Sequence, residues 1–429
     1  MIKTLKKLVA QSPILQVTSF NSLSVVLRLF TSLVISKLTA ILFGTQGMAL
    51  IGNLKNTLSV LQSFSTGGLN NGVVKYASEN KDDNYNYKVF ISTLLWLFIG
   101  LSIIIFFSVF FNSNALAIYV FDDIKYNFVF KWTAILLPLF GLNSYMLAIL
   151  QGLEQFKKVI KINIFTHFLN VIVFVIAVFQ FGLSGALMAV VIVPSASLAI
   201  SLFLARKYLR LGLYFDYTIF STQQLKFFGQ YAFMSLISAV TFPLVYLGIR
   251  QSLTEQIGID AAGYWEANFR LSAFYLVFIH SLLNLYILPK FVQAKSKLEF
   301  RSIVFEFYKK VLPFFGLGLI VLFVLRKYLV LMVFSEDFLE VTTILGWQMI
   351  ADFLRVLAIV MVIQFHAKKM IWHYILTDLF LAVALYFSAI IGAKYLDLSG
   401  VVIGHVITYL LYFFVILIIF RKSLFGLKA

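Results

Sequence analysis

Apolar stretches long enough to cross a bilayer recur from one end of the chain to the other, and they limit the fold more than any motif does. A helix needs about 20 residues to span the roughly 30 Å of a hydrocarbon core. Breaks at glycine, asparagine and charge clusters separate runs at 14–42, 48–78, 88–111, 125–152, 158–180, 183–205, 222–250, 261–291, 301–325, 339–367, 371–392 and 398–421. The expected fold is an all-α polytopic membrane protein with twelve transmembrane helices. A soluble domain could not bury so much apolar surface, since 61% of the 429 residues are apolar and 12% are charged. The opening MIKTLKKLVAQS begins like a signal peptide, but the apolar run behind it outlasts a cleavable segment and carries Arg28 and Lys37. It reads as a retained first span. The absence of cysteine excludes disulfides, thiolate metal sites and a cysteine nucleophile.

Lysine and arginine are retained on the cytoplasmic side of a membrane, so their placement orients the helices. They gather at Lys3, Lys6 and Lys7, then at 75–88, 157–161, 206–226, 290–310, 368–369 and 421–428, all of which fall on one side if the N-terminus is inside. The other side holds only Lys125, Lys131, Arg326, Lys327 and Lys394. Both termini are therefore expected in the cytoplasm. The net charge of +17 is a topology signal, and no nucleic-acid partner is expected, because no soluble basic face with stacking aromatics is visible.

Two short phrases repeat at one offset. Asn53-Leu54-Lys55 and Asn268-Phe269-Arg270 are 215 residues apart, as are Leu183-Ser184-Gly185 and Leu398-Ser399-Gly400. A shared offset close to half the chain indicates duplication of a six-helix unit. Six spans return the chain to its starting side, so two such lobes, 1–213 and 214–429, would be related by a pseudo-twofold axis along the membrane normal with a cavity between them. The basic and aromatic stretch 205–224 suits a linker at the cytoplasmic interface. The glycines of GGLNNGVVKY, residues 67–76, suit a bend in the second span.

Basic residues inside the spans bear on function, because charge in hydrocarbon is expensive and normally faces water or a partner. They are Arg28, Lys37, Lys55, Arg250, Arg270 and Arg355. Lys37 and Arg250 are near enough to a helix end to snorkel. Arg355 has Asp352 three residues earlier and Arg270 has Glu266 four residues earlier, so each can pair along its own helix. Arg28 and Lys55 have no acid nearby in sequence. Counting Glu266, Asp352 and Asp378 against the cations leaves surplus positive charge, which points to an anionic cargo. Phosphate or pyrophosphate fits, because arginine offers a planar fork of donors and lysine a point charge. Asn53 and Asn268 precede their cations by two residues and are candidates for sugar hydroxyls or for bonds across helices. The histidines are scattered, and His167, His280 and His405 read as core hydrogen-bonding groups.

The phrases FGTQGMALIGNLKN (43–56), NNGVVKYASE (70–79), LVYLGIRQSL (244–253), LNLYILPKF (283–291) and LGWQMIADFLRV (345–356) together resemble bacterial polysaccharide-lipid flippases of the O-antigen translocase (Wzx) type. The resemblance covers essentially the whole chain and is greatest to the branch serving enterobacterial common antigen, within the superfamily that also holds multidrug exporters. It implies transport of undecaprenyl-pyrophosphate-linked oligosaccharide from the cytoplasmic to the periplasmic leaflet of the inner membrane by alternating access. It maps the cationic cavity of that family onto Arg28, Lys55, Arg250 and Arg270, and implies membrane lipids and a downstream polysaccharide polymerase or ligase as partners. No cofactor is expected. No phosphate-binding GxxxxGK[ST] occurs, so the driving force is sought in proton or sodium coupling, with Glu266, Asp352 and Asp378 as candidates, or in the membrane potential. Two rivals remain at this stage. A multidrug exporter would favour acids over bases in its cavity, and a glycan polymerase or ligase would need larger extracytoplasmic loops than these.

Overall fold

In hydrocarbon every backbone N–H and C=O must find its partner within the segment, so an apolar run has little choice but helix. The computed structural model describes residues 13–80, 83–206, 208, 216 and 218–425, and among them there is no strand. The helices are α1 (Pro13–Ser65), α2 (Asn70–Glu79), α3 (Asn84–Phe111), α4 (Ser113–Phe121), α5 (Asn127–Gly152), α6 (Phe156–Ala205) and α7 (Thr222–Gln256). After them come α8 (Ile259–Leu282), α9 (Leu288–Gln293), α10 (Lys297–Lys310), α11 (Leu312–Val324), α12 (Arg326–Val333), α13 (Val341–Ala367) and α14 (Ile371–Leu424). Among the described residues, eight continuous helical stretches are long and apolar enough to cross a membrane. Three of them contain two expected spans each, joined at residues with non-helical backbone: α1 at Gly44, α6 at Gly182 and α14 at Leu396 and Asp397. Together with α8, whose Glu266 and Arg270 lower its hydropathy, these account for every span expected from the sequence. The second span breaks at Gly67 and Gly68, both at positive φ, where the glycine run suggested a bend.

Contacts divide the chain into two compact units. Unit 1 comprises Met1–Ile35 and Asn53–Val240, and unit 2 comprises Ser36–Gly52 and Thr241–Ala429. The grouping therefore does not follow the chain as two uninterrupted halves, because the middle of α1 packs with unit 2. Four hydrogen bonds hold it there. Lys37, which the sequence suggested would snorkel, donates through Nζ to the carbonyl oxygens of Leu331 (2.6 Å) and Phe334 at the end of α12. A cation at a helix C-terminus satisfies carbonyls that have no helical donor. Thr45 donates to Asp260, and Arg270 Nη1 to Ser36 Oγ at 3.3 Å.

Unit 1 packs around Phe90, Ile91, Tyr145, Ile149 and Ile162, and unit 2 around Trp265, Phe307, Val360 and the stacked rings of Phe300, Phe365 and Phe420. The duplication is visible in the geometry of each unit. Gly182 (φ 57, ψ −139) folds α6 back on itself, and Asp397 (φ 50, ψ −142), 215 residues later, does the same in α14. Just past each fold a glycine lets the two arms touch. An added Cβ would lie 1.9 Å from the Ala177 carbonyl oxygen at Gly185, and 2.0 Å from that of Gly392 at Gly400.

The described part of the linker is tied down within unit 1. Asp216 accepts Lys88 Nζ at 2.8 Å, its backbone N–H donates to Ser92 Oγ, and the Ser221 N–H donates to Thr93 Oγ1. The Lys88 ammonium, with the hydroxyl and amide of Thr218, holds the Asp216 carboxyl well below the usual carboxylate range. Lys3, Lys6, Lys7, Lys207 and Arg210 of the expected cytoplasmic clusters lie outside the described residues.

Candidate functional site

The N-terminal unit encloses a cavity of about 360 Å³ among its membrane-spanning helices. Ile35 from α1 and Phe140, Asn143, Ser144 and Leu147 from α5 line it, with Lys55 entering from beyond the Gly44 fold. Two faces of α6 close it, Asn163, Thr166, His167, Asn170 and Phe174 before the fold, and Val190, Val193, Pro194 and Ser197 after it. Lys55 is its charged wall residue, and no carboxylate lines it among the described residues. Arg28, two turns before Ile35 on α1, is exposed and lies outside the cavity lining. Part of the lining is structural: Asn143 donates to Ser197 Oγ at 2.8 Å and accepts from Ser201 Oγ at 2.6 Å. Pro194 has no N–H to give to the carbonyl of Val190, which leaves that acceptor beside the cavity.

The other intramembrane charges belong to unit 2 and are packed in protein. Glu266 on α8 bridges two guanidinium groups, Arg250 Nη2 at 2.7 Å and Arg270 Nε at 2.9 Å. All three side chains are buried. Arg250 also lies 5.4 Å from the centre of the Trp265 ring. Gly52 presses its backbone on this triad, and a Cβ there would sit 2.7 Å from the Glu266 carboxylate. A turn further along, Asp352 on α13 accepts from Ser272 Oγ (2.6 Å), Tyr275 Oη (2.5 Å) and Gln348 Nε2 (3.2 Å). Gln348 Oε1 in turn receives Asn268 Nδ2 at 3.2 Å and lies 3.3 Å from His405 Nδ1.

Several sequence expectations change at this level. Arg355 does not pair with Asp352: no ion pair within 4.0 Å joins them, and Arg355 lies 5.7 Å from the Tyr409 ring centre instead. The pairing of Arg270 with Glu266 does form, and Glu266 also takes Arg250, which is fully buried and does not snorkel. Asn53 donates to the Val120 carbonyl at 3.0 Å and so anchors α4, while Asn268 is buried against Gln348. Asp378 is buried within unit 2. His405 takes the core role expected of it. His167 does not, since it faces the cavity beside Asn163, Thr166 and Asn170, which sequence reasoning passed over. Their signal was available: polar residues at i, i+3, i+4 and i+7 in an otherwise apolar helix mark one face.

Sequence and structure comparisons show what the chain is similar to. The family described as "Polysaccharide biosynthesis protein" matches residues 38–343. The lipid III flippases of Escherichia coli (strain K12) and Shigella flexneri are each 22% identical over 359 residues, 84% of this chain and 86% of theirs. Among solved structures, an inward-facing multidrug resistance MATE family transporter of the MOP superfamily superposes with a TM-score of 0.80 at 15% identity, over 95% of this chain and 96% of that one. A MOP superfamily transporter from Pyrococcus furiosus, described as having a binding pocket of reverse polarity, gives 0.64 at 16% identity, over 95% and 96%. The fold is that of the MATE and related MOP transporters.

Proposed function

Because the chain belongs to the polysaccharide biosynthesis protein family, with most of its length inside the matched region, we propose that it is a flippase for lipid-linked glycans. Its cargo is an undecaprenyl-pyrophosphate-linked oligosaccharide carried from the cytoplasmic to the periplasmic leaflet of the inner membrane, with both termini in the cytoplasm. The observation that carries this reading is a cavity inside an apolar bundle whose wall includes amides, hydroxyls and Lys55, with Arg28 earlier on the same helix and no acid among its described lining. The two cations meet the pyrophosphate, the neutral polar groups meet the sugars, and the polyprenyl chain stays in lipid. The protein thereby removes the cost of taking a charged, hydroxylated headgroup through hydrocarbon. The names of the flippase relatives point the same way.

Arg250 and Arg270 take a different role from Arg28 and Lys55. Glu266 already neutralises one charge of that pair, so the triad is a buried structural element with one residual positive charge. Among the acids, Asp352 suits proton coupling, because its partners are two hydroxyls and an amide and each can accommodate a neutral carboxyl. An exporter of cationic drugs is disfavoured by the sign of charge in the cavity.

Depletion of the protein in cells tests the reading. Mass spectrometry should find a lipid-linked glycan accumulating, and the glycan should resist a glycosidase confined to the periplasm. An unchanged lipid pool, or accumulation of a glycan already open to that enzyme, would contradict it.

A further inference from the structure

Asn163, Thr166, His167 and Asn170 form a stripe on α6 that no structural need explains. All four are half-buried on the cavity wall, and none makes a hydrogen bond to the protein among the described residues. Asn143 across the same cavity is, by contrast, satisfied by Ser197 and Ser201. A side-chain amide in a membrane-spanning bundle is costly unless a partner reaches it.

The duplication supplies an internal comparison. At the offset of 215 the stripe falls on Asp378, Leu381, Ala382 and Leu385 in α14, and all of these are buried. Leu381 and Leu385 belong to the core of unit 2. The cavity residue Pro194 falls on Tyr409, also in that core, and Lys55 falls on Arg270, which is held by Glu266. The fold therefore needs neither the stripe nor the cavity. One copy of the repeat fills the space with buried side chains, Leu381, Leu385 and Tyr409 together with Asp378 and Arg270, and the other keeps a cavity there.

We propose that this stripe is the glycan-reading surface of the transporter, binding the sugar next to the pyrophosphate. The inference rests on the flippase reading and adds to it the part of the cargo that is recognised. Amides and a threonine hydroxyl offer donors and acceptors on one line, as vicinal sugar hydroxyls require. Phe140, half-buried on the wall, offers an apolar face for the C–H side of a pyranose ring. Lys55 lines the same cavity from α1, where the anionic link would lie. The volume of about 360 Å³ is near the lower end for ligand pockets, roughly 300–1,000 Å³, and suits a short saccharide rather than a whole oligosaccharide.

Binding to the full chain in lipid nanodiscs tests this with two probes: the lipid-linked glycan extracted from depleted cells, and bare undecaprenyl pyrophosphate. The wild type should bind the glycosylated probe about tenfold more tightly, as expected for two or so net hydrogen bonds. In N163A/N170A that ratio should collapse towards one, and in T166V it should fall several-fold. K55Q should weaken both probes and keep the ratio. Residual binding of the bare probe shows that a variant is folded. A ratio unmoved by N163A/N170A, or a wild type that binds both probes equally, overturns the glycan-reading role alone. A wild type that binds neither probe overturns the flippase reading, and this inference with it.

Discussion

Arg28 and Lys55 differ from the other intramembrane cations in what surrounds them. Arg250 and Arg270 share Glu266, and Lys37 caps α12, whereas Lys55 lines a cavity. A charge-assisted hydrogen bond contributes about 1.5–3 kcal/mol, so losing one cation should lower transport about tenfold or more. Arg28→Gln and Lys55→Gln should each do this in a leaflet-resolved assay without changing the amount of protein in the membrane. Glu266→Gln should act on stability, because it leaves two buried guanidinium groups facing each other. Removing one partner of a buried ion pair costs about 3–5 kcal/mol, and a lowered unfolding midpoint in detergent would report it. Asp352→Asn should fold normally, since an amide can keep most of the hydrogen bonds from Ser272, Tyr275 and Gln348. Transport by that variant should lose its dependence on an imposed pH gradient, and a retained dependence would remove Asp352 from coupling. The cations were legible in the sequence because each interrupts an apolar run. The partners of Asp352 were not, since Ser272 and Tyr275 come from α8, about 80 residues away, and only packing brings them to it. The sequence offered Arg355 instead, by helical spacing, but spacing sets the face of a helix and not the direction a long side chain takes.

The folds in α6 and α14 show how an element can be predicted correctly in extent and still hide its strain. Gly182 and Asp397 occupy equivalent places with nearly the same backbone angles, yet only glycine adopts them without cost. Strain of this kind costs about 1–3 kcal/mol. Asp397→Gly should therefore raise the unfolding midpoint, and Gly182→Asp should lower it. The Leu-Ser-Gly phrases that revealed the repeat sit immediately after these folds, where the glycine is required for the arms to meet. The repeat was legible because the steric demand is local, a matter of one backbone atom against another. The linker makes a separate prediction. The carboxyl of Asp216 is held below its unfolded value of about 3.9, so its contribution is fully present above about pH 4 and is lost only as pH falls through the lower, folded value. Protease sensitivity of the linker should be flat from about pH 8 to pH 5 in the wild type and raised throughout that range in Asp216→Asn. A rise in the wild type between about pH 7 and pH 5 would show that some other group governs it.

Across the whole molecule, duplication followed by divergence explains why one chain holds two unlike polar sites. Unit 2 spends its buried charges on internal partners and fills the space equivalent to the cavity, while unit 1 leaves that space lined with amides, hydroxyls and a lysine. Composition and charge placement were enough to foresee the twelve spans. The lobe that holds the cavity could not be foreseen, because polar residues such as Asn163 look ordinary one at a time and acquire meaning only when a neighbouring helix fails to cover them. The absence of native cysteine makes the expected topology directly accessible. A single cysteine at Ser296 should react with an impermeant thiol reagent only from the cytoplasmic side, and one at Ser335 only from the periplasmic side. The most direct test of the central claim is reconstitution with a fluorescent undecaprenyl-pyrophosphate-linked glycan in both leaflets of a vesicle, followed by an impermeant reductant. With wild-type protein the fraction protected in the inner leaflet should be lost, and with R28Q/K55Q it should remain protected. Protection that persists with the wild type, or is lost equally with the double variant, would contradict transport through this cation-bearing cavity.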